Sequence, residues 1–284
     1  MIVVCGEAIV DLTPTPVEAG EAYVPRAGGS PLNVAVTLAR MEVPTAFLGR
    51  LSRDFFGQLL TRHLLENSVD PRYLSDGPEL SSLAFVHLAR GEEPAYRFYL
   101  ENSADRGLLP EHLPVELPPE VQALHFGSLS LVLEPGASTL QSLMHRERGA
   151  RVISLDPNVR PGLIADREAY MRRLNGWLGQ VDIVKVSVAD LAWLHPGEGP
   201  ERIARDWLDR GPALVAVTSG VDGCAGFTRT QSVSLSGLVV EVVDTIGAGD
   251  AFMGGLLAAL HHRGVLDRSR LAGVTATELT GVPG

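Results

Sequence analysis

The chain contains a glycine-rich run with two aspartates, Asp244 to Asp250, directly before an apolar stretch that is typical of a buried helix. N–H groups in the first turn of a helix have no partner within the helix, and they attract anions such as phosphate. Gly247 and Gly249 have no side chain to keep an anion away from those groups. An aspartate here would repel phosphate, so we interpret Asp250 as a base that takes a proton from an attacking hydroxyl. The run predicts phosphoryl transfer; a helix cap in a tight turn is the structural alternative.

The spacing of this run excludes two other phosphate-binding motifs. A dinucleotide fingerprint needs a third glycine where Phe252 stands. No G-x-x-x-x-G-K-[ST] loop occurs in the sequence. The run is therefore neither a Rossmann fingerprint nor a P-loop.

Composition restricts the class of protein. With 284 residues, 45% hydrophobic and 20% charged, the chain is typical of one globular α/β domain spanning residues 1–284. A net charge of −10 argues against a nucleic-acid partner. The two cysteines, Cys5 and Cys224, lack metal or redox spacing, and no apolar run is long enough to span a membrane. We expect a cytoplasmic protein that has no membrane partner.

Short apolar runs alternate with helix-like stretches along the chain. The predicted strands are Ile2–Cys5, Thr45–Gly49, Val121–Phe126, Val152–Leu155, Val181–Val186, Leu214–Thr218 and Leu238–Val243. The predicted helices are Pro31–Met41, Phe55–Glu66, Thr139–Arg148, Arg167–Leu178 and Glu201–Asp209. This alternation predicts a mostly parallel sheet covered by helices on both faces. Ligands of such sheets bind beyond the carboxyl ends of the strands.

Two stretches break the alternation, at about 11–26 and 82–100. The first is rich in Pro, Glu and Thr, and the second predicts a β-hairpin with its turn at Gly91. We expect them to form a small sheet that is a candidate lid over the site. A surface hairpin without a role is the alternative.

A double glycine begins the first predicted helix. Ser30 is placed as its N-cap and Pro31 as its first residue, which matches the chemistry of a helix start. Gly28 and Gly29 let a ligand lie against the backbone, and Asn33 offers a donor and an acceptor nearby. Taken alone, this segment is better explained as a structural helix start.

Polar residues also follow other predicted strands. Asp11 comes after the first strand, where a carboxylate can accept hydrogen bonds from a polyol. Asp156 and Asn158 suit hydroxyls or waters around Mg²⁺, and Arg160 suits a transferring phosphate. The run 218–223 suits the outer phosphates of a nucleotide. Each segment alone is explained by a turn, but their coincidence beyond the strands of one sheet favours a site.

With these motifs the chain resembles the ribokinase-like (PfkB) carbohydrate kinase family, and within it the bacterial fructokinases. The resemblance runs from Met1 to about His262, and its two hallmark stretches are 28–35 and 244–250. It implies a three-layer α/β sandwich with a small β lid, and a homodimer formed lid to lid. The implied cofactors are ATP and Mg²⁺.

The resemblance also implies a role for each matching residue. Asp250 would be the base, Arg160 would lie near the transferred phosphate, and an anion hole would be formed by Gly247, Ala248 and Gly249. The sugar would contact Asp11, Gly28, Gly29, Asn33, Phe98 and Asn158. The nucleotide phosphates would contact Lys185, Ser187, Thr218, Gly220, Gly223, Gly247 and Gly249.

The resemblance also implies metal sites, although both residues of the family's magnesium pattern differ in this chain. Relatives organise Mg²⁺ through water with an N-x-x-E pattern, where this chain has Ser187 and Asp190. Asp190 keeps the charge on a shorter side chain and is the expected metal residue. The backbone around Asp244 and Ile246 would form a site for a monovalent cation such as K⁺.

Leu100 bears on the substrate. Relatives that phosphorylate 2-keto-3-deoxygluconate place an arginine after an aromatic pair in the lid, and here Leu100 follows that pair. We therefore expect ATP-dependent phosphorylation of a neutral sugar, most simply fructose. A kinase for 2-keto-3-deoxygluconate or a nucleoside is one alternative. A non-catalytic sugar or nucleotide sensor is the other, because residues 264–284 depart from the family pattern.

Overall fold

A computed structural model of the chain describes residues 1–18, 20–87, 95–238 and 245–275. The strands are β1 (Ile2–Cys5), β2 (Ile9–Val17), β3 (Gly20–Gly28), β4 (Thr45–Ser52), β5 (Asp70–Gly77), β6 (Leu83–His87), β7 (Ala95–Tyr99), β8 (Ala123–Gly127), β9 (Val152–Asp156), β10 (Ile183–Ser187), β11 (Leu214–Thr218), β12 (Cys224–Phe227) and β13 (Ser232–Leu235). The helices are α1 (Ser30–Arg40), α2 (Phe55–Glu66), α3 (Gly136–Glu147), α4 (Arg167–Leu178), α5 (Val188–Leu194), α6 (Pro200–Arg210), α7 (Ala248–His262) and α8 (Arg268–Leu271). Four predictions lie outside the described residues: Asp244, the turn at Gly91, most of the strand at 238–243, and the last nine residues of the tail.

The main sheet has nine strands within the described ranges, in the order β13-β12-β11-β10-β9-β8-β1-β4-β5. All neighbours from β11 to β5 pair in parallel, whereas β12 and β13 are antiparallel. The predicted mostly parallel sheet is thereby confirmed. Its parallel strands end at one edge, which is where the predicted site residues fall.

The sheet is buried on both faces, as its continuously apolar strands require. One face packs on α1, α2 and α7 through residues such as Leu38, Leu64 and Leu257. The other packs on the helices from α3 to α6, whose buried side chains include Trp177 and Trp207. These layers form the predicted α/β/α sandwich. No helix within the described ranges combines the length and hydropathy that a membrane-spanning segment needs.

A second, four-stranded sheet has the order β3-β2-β6-β7. Strands β6 and β7 lie within the predicted stretch 82–100, whereas β2 and β3 extend two residues beyond 11–26 at each end. Asp11 lies inside β2, within the stretch that was expected to form this sheet. Pro14 and Pro16 lie beyond the part of β2 that pairs with β6, which runs from Val10 to Leu12.

Candidate active site

The first turn of α7 holds a buried carboxylate. Gly247 is the N-cap of this helix with φ +78°, a left-handed conformation that glycine adopts readily. Asp250 is the third helical residue and is 6% exposed. The N–H of Ala248 donates to the Thr245 carbonyl at 3.2 Å. The predicted anion hole at Gly247, Ala248 and Gly249 stays a prediction.

Three side chains from two other segments donate hydrogen bonds to Asp250. Ser30 Oγ reaches Oδ1 at 2.7 Å, and Asn33 Nδ2 reaches Oδ2 at 2.8 Å. Asn158 Nδ2 reaches Oδ1 at 3.3 Å. The carboxylate is thus fixed in orientation by α1 and by the turn after β9.

Helix α1 can bring Ser30 and Asn33 to Asp250 because it packs closely along α7. A Cβ on Gly254 would lie 2.6 Å from Thr37 Cγ2, so the helices approach too closely there for any larger residue. Thr37 lies four residues after Asn33, and Gly254 lies four residues after Asp250. Since helical residues four apart share a face, the contact at Gly254 also sets the distance from Asn33 to Asp250.

The start of α1 differs from the prediction. Gly29 is the N-cap, with φ +105°, and Ser30 is already helical. A Cβ on Gly29 would lie 3.0 Å from the Glu7 carbonyl oxygen, which explains the glycine. Ser30 was therefore wrongly placed as the N-cap, and its hydroxyl instead donates to Asp250.

The turn after β9 is held by its own side chains. Asn158 has φ +39°, a conformation that asparagine tolerates better than most residues. Its N–H donates to Asp156 Oδ1 at 3.1 Å. Arg160 Nη1 donates to Asn158 Oδ1 at 2.6 Å. These bonds aim the Asn158 amide at Asp250 and set Arg160 beside it.

Lys185 lies behind the first turn of α7. Its Nζ is 2.8 Å from Asp156 Oδ2, and both side chains are almost completely buried. A Cβ on Gly249 would lie 2.8 Å from Nζ. Burial is the largest influence on the pKa of Lys185 and lowers it. Attraction and a hydrogen bond from Asp156, together with attraction from Asp250 and Asp190, nevertheless raise the pKa overall. Lys185 was predicted as a nucleotide ligand, yet the structure places its ammonium group in a buried ion pair.

Burial is the largest influence on the pKa of both acids predicted to contact the sugar, Asp250 and Asp11. Burial raises the pKa of Asp250, while the hydrogen bonds from Asn33 and Ser30 act in the opposite direction. Burial and then repulsion from Asp250 raise the pKa of Asp11 to about 6, against attraction from Arg160. Asp11 and Asp250 thus influence one another electrostatically, although they lie on the lid sheet and on α7.

Asp11 lies directly against the glycine that precedes α1. A Cβ on Gly28 would be 2.1 Å from Asp11 Oδ2, so a larger residue would displace this carboxylate from its present position. Across the lid sheet, Asp11 pairs with Ala84, and Ala84 pairs with Phe98. Phe98 therefore lies on the same face as Asp11, stacked on Tyr96 with ring centroids 5.9 Å apart.

Both carboxylate oxygens of Asp190 accept hydrogen bonds from the protein. Its Oδ2 accepts from Ser187 Oγ at 2.8 Å, and its Oδ1 accepts from the Val159 N–H at 3.1 Å. Ser187 in turn caps α5 by accepting from the Asp190 N–H. No group of three or more acids, histidines or cysteines suited to a metal occurs among the described residues. A water-mediated role for Asp190 in binding Mg²⁺ stays a prediction.

The predicted nucleotide residues follow neighbouring strands. Ser187 and Thr218 end β10 and β11 in direct register. A turn with positive φ at Gly220 (+58°) and Gly223 (+101°) follows. A Cβ on Gly223 would lie 2.0 Å from the Leu235 carbonyl oxygen, so packing against β13 already accounts for this glycine.

Sequence reasoning missed two features of the site. Ser30 was interpreted only as a cap, and the pairing of Asp156 with Lys185 was not anticipated. Their pairing follows from the register of two neighbouring parallel strands, β9 and β10, because both residues lie near the carboxyl ends of these strands. Ile246 lies in the turn before α7, whereas its predicted partner Asp244 is outside the described residues.

Comparison with known proteins agrees with this geometry. Fructokinase from Rhizobium leguminosarum bv. trifolii is 38% identical over 284 residues, which are 100% of this chain and 86% of that protein. The crystal structure of fructokinase with bound ATP from Xylella fastidiosa matches with a TM-score of 0.87 and 29% identity, covering 96% of this chain and 84% of that one. A fructokinase double mutant from Vibrio cholerae O395, bound to fructose, ADP and potassium ion, matches with a TM-score of 0.85 and 29% identity, covering 99% and 88%.

These solved structures confirm the ribokinase-like fold. The family model for pfkB family carbohydrate kinases matches residues 1–280, nearly the whole chain. The chain belongs to the pfkB family of carbohydrate kinases.

Proposed function

We propose that this protein transfers the γ-phosphoryl group of ATP to a hydroxyl of fructose. The observation that supports this most directly is Asp250, a buried carboxylate held by three donors at the glycine-rich start of α7. Among relatives, a fructokinase has been crystallised with fructose and ADP together. The buried Leu100 places no charge at the end of β7, in keeping with a neutral sugar.

In this proposal Asp250 is the base that activates the sugar hydroxyl. Its Oδ1 accepts two side-chain hydrogen bonds within the described residues, whereas Oδ2 accepts one, from Asn33. Oδ2 is therefore the atom that takes the proton from the sugar hydroxyl. Burial supports this role, because a carboxylate with a raised pKa accepts a proton more readily.

The sugar is bound between the lid sheet and the start of α1. Asp11 accepts hydrogen bonds from two of its hydroxyls. Gly28 and Gly29 lie beside the ring at the start of α1, and Phe98 covers it from the lid. Closure of the lid would exclude water, which would otherwise compete with the sugar hydroxyl for the phosphoryl group.

The phosphates are assigned to the edge formed by α7, β10 and β11. The N–H groups of Gly247 and Gly249 and the guanidinium of Arg160 stabilise the charge that develops on the transferred group. Ser187, Thr218 and Gly220 line the same edge and hold the outer phosphates. Gly249 supports the assignment, because its N–H lies in the first turn of α7, where backbone donors attract anions.

Divalent and monovalent cations complete the proposal. Mg²⁺ would neutralise the phosphates, as phosphoryl transfer generally requires. Asp190 is the acid that fits a water-mediated contact, since carboxylate oxygens suit Mg²⁺ and each retains a second lone pair. A K⁺ site near Ile246 and Asp244 remains the corresponding expectation for a monovalent ion.

A lid-to-lid homodimer is part of the same proposal. Tyr23, Phe85 and Tyr99 form edge-to-face contacts on the lid sheet, and Tyr23 and Tyr99 are 42% and 58% exposed. A second copy would cover these rings. The cytoplasm is the expected compartment for this ATP-dependent chemistry.

Sugar binding should weaken in mild acid. Because Asp11 has a pKa of about 6, it loses its charge as the pH falls through that value, and with it the ability to accept two hydrogen bonds. We expect fructose to bind about tenfold more weakly at pH 5 than at pH 7.5. Titration calorimetry without nucleotide measures this. Asp11→Asn should bind weakly at both values, and a wild-type affinity independent of pH would contradict the assignment.

The proposal is tested by ADP release from Mg-ATP with fructose, ribose, 2-keto-3-deoxygluconate and adenosine in parallel, at low and high K⁺. Turnover confined to fructose is expected. Turnover with 2-keto-3-deoxygluconate or adenosine instead would reassign the substrate. Thermal stabilisation by ATP without turnover on any of them would favour a sensor.

A further inference from the structure

A closed array of polar side chains lies behind the first turn of α7. Lys185 donates to Asp156, and Asp156 accepts the Asn158 N–H through its other oxygen. Asn158 then donates to Asp250. Lys185 also lies against Gly249, next to Asp250 in the chain. The array therefore acts on Asp250 in two ways. Asn158 donates a hydrogen bond to it, and the positive charge of Lys185 lies close to it.

The ion pair in this array is costly to bury. Asp156 is 0% and Lys185 3% exposed, so both charges have lost their water. A buried pair is weak evidence for stability, because well-packed apolar residues often replace such pairs without loss. Its neighbours Val184 and Val186 on β10 are apolar and buried, as a core strand requires. The position of the pair beside Asp250 suggests a purpose other than folding.

We propose that Lys185 and Asp156 are positioning residues for Asp250: Lys185 keeps negative charge on its carboxylate, and Asp156 fixes the turn that aims Asn158 at it. The inference rests on the proposed role of Asp250 as the base. It replaces the predicted contact of Lys185 with the nucleotide.

Other charged or titratable groups face this array from each neighbouring segment. The charged ones are Asp11 on β2, Arg160 in the turn after β9 and Asp190 on α5, and the neutral titratable ones are His125 on β8 and Tyr170 on α4. His125 is buried beside Lys185, and burial and then Lys185 lower its pKa to about 3, so it adds no charge. Apart from burial and its hydrogen bonds, the pKa of Asp250 is raised by Asp156 and lowered by Lys185. The two members of the pair thus act on Asp250 in opposite directions.

Because the two residues act on the pKa of Asp250 in opposite directions, pH dependence can distinguish this role from a purely structural one. Lys185→Met removes the cation, so the acid limb of kcat at saturating fructose, which excludes the effect of Asp11 on binding, should move to higher pH. Asp156→Asn removes the anion but keeps an oxygen for the Asn158 N–H, so the limb should move to lower pH. We expect shifts of about one pH unit, a typical effect of a close charge. The double variant should lie within about half a unit of wild type, because the two effects offset one another.

The shifts in the pKa of Asp250 are to be measured directly by carbon NMR of labelled aspartate side chains. The Asp250 signal is identified as the one that is missing in Asp250→Asn. This readout needs no turnover. If the wild type does not act on fructose, the proposed function fails while the inference is still tested. Arg268→Met is the matched control, since it breaks a different ion pair, with Asp182 at 2.9 Å. It should leave the acid limb unchanged.

Two results would overturn the inference. The first is that the acid limbs of both single variants shift in the same direction, or that neither limb shifts. The second applies even if a single variant does not fold: the double variant lacks an unpaired buried charge and should fold. A shift of the Asp250 titration by a full pH unit or more in that variant would show that the pair does not act through opposing charges.

Discussion

Asp250→Asn should lower turnover with fructose and Mg-ATP by about 10²–10⁴-fold, the usual contribution of a general base. The amide has nearly the shape of the carboxylate but cannot take the hydroxyl proton. Its oxygen can still accept from Ser30 and Asn158, so the side chain keeps its place. Fructose affinity should therefore be largely retained. Steady-state kinetics and calorimetry on the same preparation separate the two effects.

Asp166→Asn is the control for this substitution. Asp166 is an exposed carboxylate that caps α4 by accepting from the Ala169 N–H at 2.9 Å. Asparagine is an equally good N-cap, so turnover and folding should both be unchanged. Near-normal turnover in Asp250→Asn would remove Asp250 from the role of base, whatever the control shows.

Gly254→Ala should impair both folding and catalysis. The added Cβ would lie 2.6 Å from Thr37 Cγ2 and 3.3 Å from the Val34 carbonyl oxygen, so α1 and α7 must separate. Overpacking of this kind costs about 1–3 kcal/mol of unfolding free energy. Because Asn33 and Asp250 lie one turn away on the same two helices, their hydrogen bond should lengthen and kcat should fall. Denaturant unfolding and kcat measure the two effects.

The adjacent glycine provides a matched control. A Cβ on Gly255 would meet nothing closer than Met41 Sδ at 4.0 Å. Gly255→Ala should therefore stabilise the protein by about 0.5–1 kcal/mol, since alanine favours the helix more than glycine does. Turnover should stay normal. If Gly254→Ala behaved like Gly255→Ala, the close approach of α1 and α7 would not position the site.

The periodic parts of the fold could be predicted from the sequence. Helices α2 and α4 have the predicted bounds, and α1 is shifted by one residue at each end. Strands β1 and β11 also match, because buried parallel strands are continuous apolar runs bounded by turn residues. Asp250 was identified from its position after two glycines, where local chemistry alone distinguishes a helix start.

Features that depend on tertiary contact could not be predicted. Strands β2 and β3 extend beyond the predicted stretch 11–26 because Ile9 and Val10 pair with Gly28 and Ala27. Ser30 donates to a residue 220 positions away. Lys185 lies in the core because Asp156 on the neighbouring strand neutralises it. In each case the partner is distant in the chain, and periodicity reports only local structure.

The most direct test is to incubate the wild-type protein with Mg-ATP and fructose and to follow both products by phosphorus NMR. We predict a phosphate monoester of fructose that accumulates in equal amount with ADP, and its loss in Asp250→Asn. ADP formation without a sugar phosphate would show hydrolysis rather than transfer. Binding of both ligands with neither product would contradict the proposed kinase.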